Sequence, residues 1–305
     1  MTALQNLVSN PKTIRAAIWL SQHAPESVGH RVSWWAANAI SQIKPTAYDI
    51  LRANLGQVLG ADAGEQTLHQ MAAEAFYTFL RSHFDLFRSV GLTRDQLVTQ
   101  VEVPEEAAAI MHSVGDRTGG SILVFPHVGS FDLAGLTISG YLPEMQVLTL
   151  PNPSAGFELS NRLRKRTGVE VTPLNSVALR QALRRLRSGG VVSIAGDRPV
   201  SDLDDPVLFF GRPARVPSGH VRLAVKTGAV IVVVCAYLSP ETDRHTLHIE
   251  PPMEMIRTGD QEEDIQVNMR RVLDTLEKVI RRWVGQWQMF VPVWPDLLET
   301  QGKSK

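Results

Sequence analysis

An α/β fold, with a mostly parallel central sheet flanked by helices and a helical subregion in front of it, is predicted by three observations. From about Val101 onward, apolar runs of strand length alternate with segments of helix length, the pattern that βαβ units leave in a sequence. Gly119-Gly120, Gly168 and Ser188-Gly189-Gly190 punctuate that alternation where helices stop and strands start. Before it, apolar residues recur at helical spacing with no strand pattern between them. The division this suggests is an N-terminal helical region over 1–100 and an α/β core over 101–305, forming one continuous domain.

Taken in order, Pro11 to Tyr48 reads as a helical pair in which Trp19, Trp34 and Trp35 are flanked by Arg15, His23, His30 and Arg31. Tryptophans with basic neighbours fit a membrane interface, and they fit packing on a core equally well. Helices follow over Ala47 to Leu59 and Thr67 to Val90, the second with a core-type stripe of Leu68, Met71, Ala75, Phe76, Phe79, Leu80 and Phe84. The core region then reads as a helix over Pro104 to Val114 and a strand over Ser121 to Phe125. A helix over Phe131 to Tyr141 and a strand over Gln146 to Leu150 come next. A helix over Ser154 to Thr167, a strand over Val169 to Pro173, a helix over Ser176 to Arg187 and a strand over Val191 to Ala195 complete the alternation. Val207 to Phe210 is a short strand, and Pro217 to Lys226 a helix. Val230 to Leu238 and Arg244 to Glu250 are an antiparallel pair around Ser239-Pro240, and Asp264 to Trp283 is the last helix.

The stretch that organises the rest is SILVFPHVGSFDLAG, Ser121 to Gly135. A buried strand stopped by Pro126 delivers His127 to the strand end, and Asp132 falls in the first turn of the next helix. That junction is the rim where open α/β sheets place ligands. The spacing alone is weak, because nine histidines and acidic residues near one position in ten give about one chance His-x4-acid pair. His69 with Glu74, inside a helical pattern, and His245 with Glu250, in an alternating strand, are two such decoys.

A carboxylate that accepts Nδ1–H of an imidazole fixes its tautomer and leaves Nε2 as a base toward a hydroxyl. His127 is therefore the candidate base and Asp132 its orienting partner. Ser130 is a rival nucleophile. However, Gly129-Ser130-Phe131 lacks the second glycine of the G-x-S-x-G elbow, and a serine before a helix most often caps it. A second strand end carries Gly196-Asp197-Arg198-Pro199, so Asp197 is read as a site residue against the alternative of a surface turn; Asp202-Leu-Asp204-Asp205 reads as a solvated loop.

Equal numbers of basic and acidic residues, 31 each, give a formal net charge of zero, which removes any bulk attraction to nucleic acid. The single Cys235 excludes an internal disulfide and a cysteine zinc cluster, and its β-branched surroundings suggest a buried, inert thiol. Met1 to Asn10 has neither a basic start nor an apolar core of signal-peptide length, and no apolar run reaches eighteen residues, so a membrane partner is expected to be met from its surface. Arg162, Arg164, Lys165 and Arg166 on one helix, and Arg180, Arg184, Arg185 and Arg187 on the next, read as solvated faces or as contacts for phosphate and anionic lipid.

Pro126-His127-Val128-Gly129-Ser130-Phe131-Asp132, followed by Phe209-Phe210-Gly211-Arg212-Pro213-Ala214 and Pro217-Ser218-Gly219, resembles the bacterial lipid A biosynthesis acyltransferase family. Within it the chain looks closest to the phosphatidylinositol mannoside acyltransferases, in the same order from about Leu51 to the tryptophan-rich ending at Trp294. The resemblance implies a glycerolipid-acyltransferase-like fold. It implies His127 and Asp132 as the catalytic dyad, transferring an acyl chain from a thioester to a sugar hydroxyl of a lipid. Asp197 and Arg198 match an acidic residue and an arginine of the active site, and Arg164 matches an arginine of the acceptor region. Ser130 and Ser218 are candidate substrate contacts beside these motifs, and backbone N–H groups after Pro217 are candidates for holding an oxyanion or phosphate. No cofactor or metal is implied. Acyl-CoA or acyl-carrier protein is the co-substrate, a lipid the acceptor, and the cytoplasmic face of the plasma membrane the place of work. One departure is that the relatives carry a glutamate just after the second strand, where this chain has Thr149 or Leu150, so the sugar acceptor is not carried over. A peripheral acyltransferase, a hydrolase that gives the acyl group to water, and a non-catalytic lipid-binding protein are the three functions to be told apart.

Overall fold

The computed structural model describes residues 11–142, 144–151, 155–200 and 205–298. The expectations for Met1 to Asn10, Ser154, Asp202 and Asp204 lie outside these residues.

Four helices lead the chain: α1 Pro11–His23, α2 Glu26–Ile43, α3 Thr46–Leu59 and α4 Glu65–Arg88. Pro25 and Pro45 stand immediately before α2 and α3. A proline there supplies a preset φ and loses no helical hydrogen bond, so each break falls at a proline. α2 lies on α4 through a stripe of small residues, Gly29, Ser33, Ala37 and Ser41, which are its buried positions. The Phe84 ring fills the place of a side chain at Gly29, where a Cβ would stand 2.0 Å from it.

After the short α5 Arg94–Leu97 and α6 Glu105–Gly115, the alternation begins with β1 Ser121–Phe125, α7 Phe131–Tyr141, β2 Gln146–Thr149 and α8 Ala155–Arg166. It continues with β3 Glu170–Pro173, α9 Ser176–Arg187, β4 Val191–Ala195, β5 Val207–Phe209, β6 Arg212–Ala214 and α10 Gly219–Thr227. β7 Val230–Leu238, β8 His245–Ile249 and α11 Gln261–Arg282 end the series. Six strands form one sheet in the order β3-β2-β4-β1-β7-β8, parallel except for the β7–β8 pair. Alternate residues of β1 feed two cores, as period 2 requires. Ile122 and Val124 join Ala182 of α9, Val221 of α10 and Leu276 of α11 on one face, and Leu123 joins Met111 of α6 and Leu133 of α7 on the other. Leu51, Leu55 and Phe76 of the leading helices belong to the first of these cores. Cys235 lies inside the sheet, and burial pushes its thiol up, away from the reactive thiolate.

The short strand read over Val207 to Phe210 ends one residue earlier, at Phe209, and pairs with β6. β5 and β6 form a two-residue hairpin in which Phe210 and Gly211 both have positive φ, 50° and 76°. Such turns match the right-handed twist of strands, although a bulky residue at the first position is strained. Phe210 is held there on three sides. Its N–H donates to Glu277 Oε1, its carbonyl accepts from Gln57, and the Arg281 guanidinium lies over its ring at 4.8 Å. The Phe-Phe-Gly-Arg-Pro-Ala motif is thus a hairpin whose rings meet Trp294 and, from Phe210, Trp287.

Candidate active site

β1 and β4 are parallel neighbours, and their last paired residues are Phe125 and Ala195. Two residues beyond each pair member stand His127 and Asp197, so the register itself sets them side by side at the carboxyl ends of the strands. Gly196 allows the approach, because its N–H donates to Phe125 O and a Cβ there would lie 2.3 Å from Val124. Asp197 is 0% exposed. Its Oδ1 stands 2.6 Å from His127 Nδ1, while Oδ2 accepts the His127 backbone N–H at 2.7 Å and the Trp287 indole N–H at 2.8 Å. An ionised carboxylate can only accept, so with Asp197 as a carboxylate the proton is assigned to Nδ1, and Nε2 has no hydrogen-bond partner among the described residues.

The loop behind His127 is fixed atom by atom. Gly129 has φ +61°, and a Cβ there would meet Ala236 O at 1.9 Å, which only glycine avoids. Gly129 N–H donates to Gln286 O, Ser130 N–H to Ala236 O, Gln288 N–H to His127 O and Gln288 Nε2 to Gly129 O. Val128 and Trp287 form an antiparallel bridge.

This geometry corrects the expected partnership. Asp132, in the first turn of α7, makes no hydrogen bond to His127; its Oδ1 accepts from Arg164 Nη2 at 2.7 Å, and Arg164 also donates to Asn161. Asp197 takes the place given to Asp132 because strand register outranks local spacing. Ser130 stands at the cap position of α7 yet accepts no backbone N–H, and its buried hydroxyl has no partner among the described residues. Ser218 Oγ accepts from Arg222 Nε rather than facing the cavity, which Pro217 and Gly219 line on either side. Trp287 and Gln288, within the tryptophan-rich ending, are the site residues the sequence reading did not single out.

β2 and β4 pair only at Gln146–Val192 and Val147–Ser193, after which β2 follows β3 and β4 follows β1. The parting opens a slot of about 410 Å³, whose lining is dominated by apolar side chains, among them Phe125, Val147, Leu148, Leu150, Leu174 and Ile194. Consecutive β2 residues face it, as expected where a gap passes through a sheet. His127, Arg164 and Arg198 supply its charged and titratable groups. Arg198 has no hydrogen bond or ion pair among the described residues; burial lowers its pKa, and the Asp197 carboxylate opposes that. The other arginines of α9 lie elsewhere. Arg184 and Arg185 border a separate open groove of about 750 Å³ at the amino ends of the strands, and Arg185 pairs with Glu170. Of the α8 cluster, Arg166 donates to backbone carbonyls of Val90 and Leu92.

The leading helices carry an unusual outer face. Trp35 is 69%, Val32 60% and Ile43 77% exposed on α2, and Trp19 and Leu20 are exposed on α1. α2 thus turns its small residues inward and its large apolar ones outward. Arg15 and Arg31 are exposed on the same two helices. No helix among the described residues is long and apolar enough to cross a membrane.

A mostly parallel sheet with an imidazole–carboxylate pair at its carboxyl ends, beside an apolar slot, is the architecture of an α/β enzyme. The chain belongs to the bacterial lipid A biosynthesis acyltransferase family, whose model matches residues 13–295. It is 25% identical over 300 residues to the phosphatidylinositol mannoside acyltransferase of Mycolicibacterium smegmatis, covering 95% of this chain and 93% of the relative. The enzyme of that name from Mycobacterium tuberculosis is 25% identical over 258 residues, covering 82% and 78%. The 1-acyl-sn-glycerophosphate acyltransferase PlsC of Thermotoga maritima is similar with a TM-score of 0.36 and 16% identity, over 83% of this chain and 98% of that one. The protein is an acyltransferase acting on lipids.

Proposed function

We propose that this acyltransferase works at a membrane surface, moving a fatty acyl chain from an acyl-CoA or acyl-carrier thioester to a hydroxyl of a glycolipid or phospholipid, with His127 as general base and Asp197 orienting it. The observation that carries this reading is His127 on the wall of the apolar slot between β2 and β4, hydrogen-bonded to the buried Asp197 behind it. The acyl chain occupies the slot. His127 Nε2 takes the proton of the acceptor hydroxyl as its oxygen attacks the thioester carbonyl, and the tetrahedral oxyanion collapses to the new ester. The departing thiolate then recovers the proton from Nε2, so no acyl-enzyme is needed. Arg198, with no bonded partner, and the first N–H groups of α10 at Gly219 are the donors for the oxyanion or the donor's phosphates. Arg164, held by Asp132, lines the acceptor side of the slot. The outward Trp19, Val32, Trp35 and Ile43 enter the interface of the membrane face on which the acyl donor is made, aided by Arg15 and Arg31. The helices over 1–100 serve as the interfacial region of a single domain.

The test is incubation of the enzyme with labelled acyl-CoA, or labelled acyl-carrier protein, and lipids extracted from the source organism. Labelled lipid is expected, absent with His127→Ala and with Asp197→Ala. Labelled free acid alone means a hydrolase, and neither product means a protein that only binds lipid.

A further inference from the structure

We propose that Trp287 is a positioning residue for the catalytic pair, holding the Asp197 carboxylate from outside and making an active site conditional on the seating of the C-terminal segment 286–288. The inference rests on the His127–Asp197 reading above.

Of the three N–H groups that Asp197 accepts, two belong to His127 itself, its backbone and its ring. Those two bonds hold the carboxylate to the backbone and ring of His127 and to no other residue. Trp287 Nε1 is the third, and among the described residues it is the hydrogen bond that anchors Asp197 to a different part of the chain. Both side chains are 0% exposed, so water does not reach the place of the indole N–H if it is removed. The anchor is itself anchored. Trp287 bridges Val128, its neighbour Gln288 holds the His127 and Gly129 carbonyls, and Gln286 accepts Gly129 N–H while its side chain clamps both backbone groups of Leu238. One short segment thus fixes the base loop and the carboxylate at once.

Without the indole N–H, Oδ2 loses its one contact outside His127 in a place that water does not reach, and the carboxylate is held less firmly. A base oriented by a loosely held carboxylate lowers kcat, while the slot that binds the acyl chain is untouched and KM stays near its wild-type value.

The experiment is Trp287→Phe in the full chain, with kcat, KM for acyl-CoA and the melting temperature measured together. A second variant replaces the indole of Trp287 with benzothiophene, which keeps the shape and deletes the N–H, and decides the matter if the Phe variant fails to fold. The expected result is a loss of about 10- to 100-fold in kcat with KM little changed. Wild-type kcat in the benzothiophene variant, with His127→Ala and Asp197→Ala inactive, overturns the role of Trp287 and leaves the pair standing. A change in melting temperature alone, with the activity of the folded fraction intact, overturns it as well. Retained activity in His127→Ala overturns the underlying reading and this inference with it.

Discussion

At the scale of single residues, His127 and Asp197 stand 70 positions apart and meet because each lies two residues beyond a paired strand end. The strand-end histidine is legible in the sequence, since a glycine pair, an apolar run and a proline announce it. Its partner is legible as a candidate but not as the partner. That needs the knowledge that β4 lies beside β1 while β2 and β3 lie farther out, an order no local pattern contains. Asp132 looked closer only along the chain. Asp197→Asn is expected to lower kcat by on the order of 10³- to 10⁴-fold, because an amide no longer dictates the imidazole tautomer. Asp132→Asn removes one partner of a largely buried ion pair with Arg164 and is expected to show mainly as a lower melting temperature and a higher KM. Equal kcat losses in the two variants, measured with the same acyl donor, would restore Asp132 to the pair. The indole of Trp287 left no signal in the sequence beyond an aromatic-rich ending, since a buried tryptophan and a hydrogen-bonding one look alike there.

At the scale of elements, α2 explains why periodicity left the N-terminal tryptophans open between core and interface. A helical pattern reports that apolar residues share a side, not which side faces in. Here the inward stripe is Gly29, Ser33, Ala37 and Ser41, chosen for close approach to α4, and the large apolar residues are what remains outside. Two substitutions on the one helix separate these roles. Val32→Glu with Trp35→Glu is expected to leave the melting temperature near wild type, as both positions are exposed, and to abolish most co-sedimentation with anionic vesicles. Gly29→Val is expected to unfold the helix pair more easily, because the added side chain meets the Phe84 ring. Raising salt should weaken vesicle binding of the wild type without removing it, since Arg15 and Arg31 are screened and the apolar insertion is not. Vesicle binding that survives the double glutamate variant removes α2 from the interface. The β5–β6 hairpin teaches a related lesson: its two positive-φ residues are a phenylalanine and a glycine, and only the glycine is a turn signal in sequence.

At the scale of the whole molecule, stability is coupled to pH through groups buried in the folded state, and the two clearest act in the same direction over successive ranges. His220 of α10 is fully buried with neither ring nitrogen bonded among the described residues, and burial pushes it down to about 4 from an ordinary 6.5. The unfolded chain therefore binds a proton between pH 6.5 and 4 that the folded chain refuses, so this part of the stability is complete above pH 6.5 and is lost as pH falls toward 4. The loss is on the order of 3 kcal/mol, a large share of the margin by which a domain is stable. Asp85 of α4 is desolvated, which alone would raise it, but hydrogen bonds from His245 of β8 and His30 of α2 outweigh burial and hold it well below the carboxylate range. Its contribution is present above about pH 4 and disappears only below that. Urea midpoints measured across pH are thus expected to fall first between 6.5 and 4, and again below 4. His220→Leu keeps the volume and removes both unbonded nitrogens, so it should flatten the first fall and leave the second, with stability at pH 7 equal to wild type or higher. A first fall of unchanged steepness in that variant would mean that another buried group carries it.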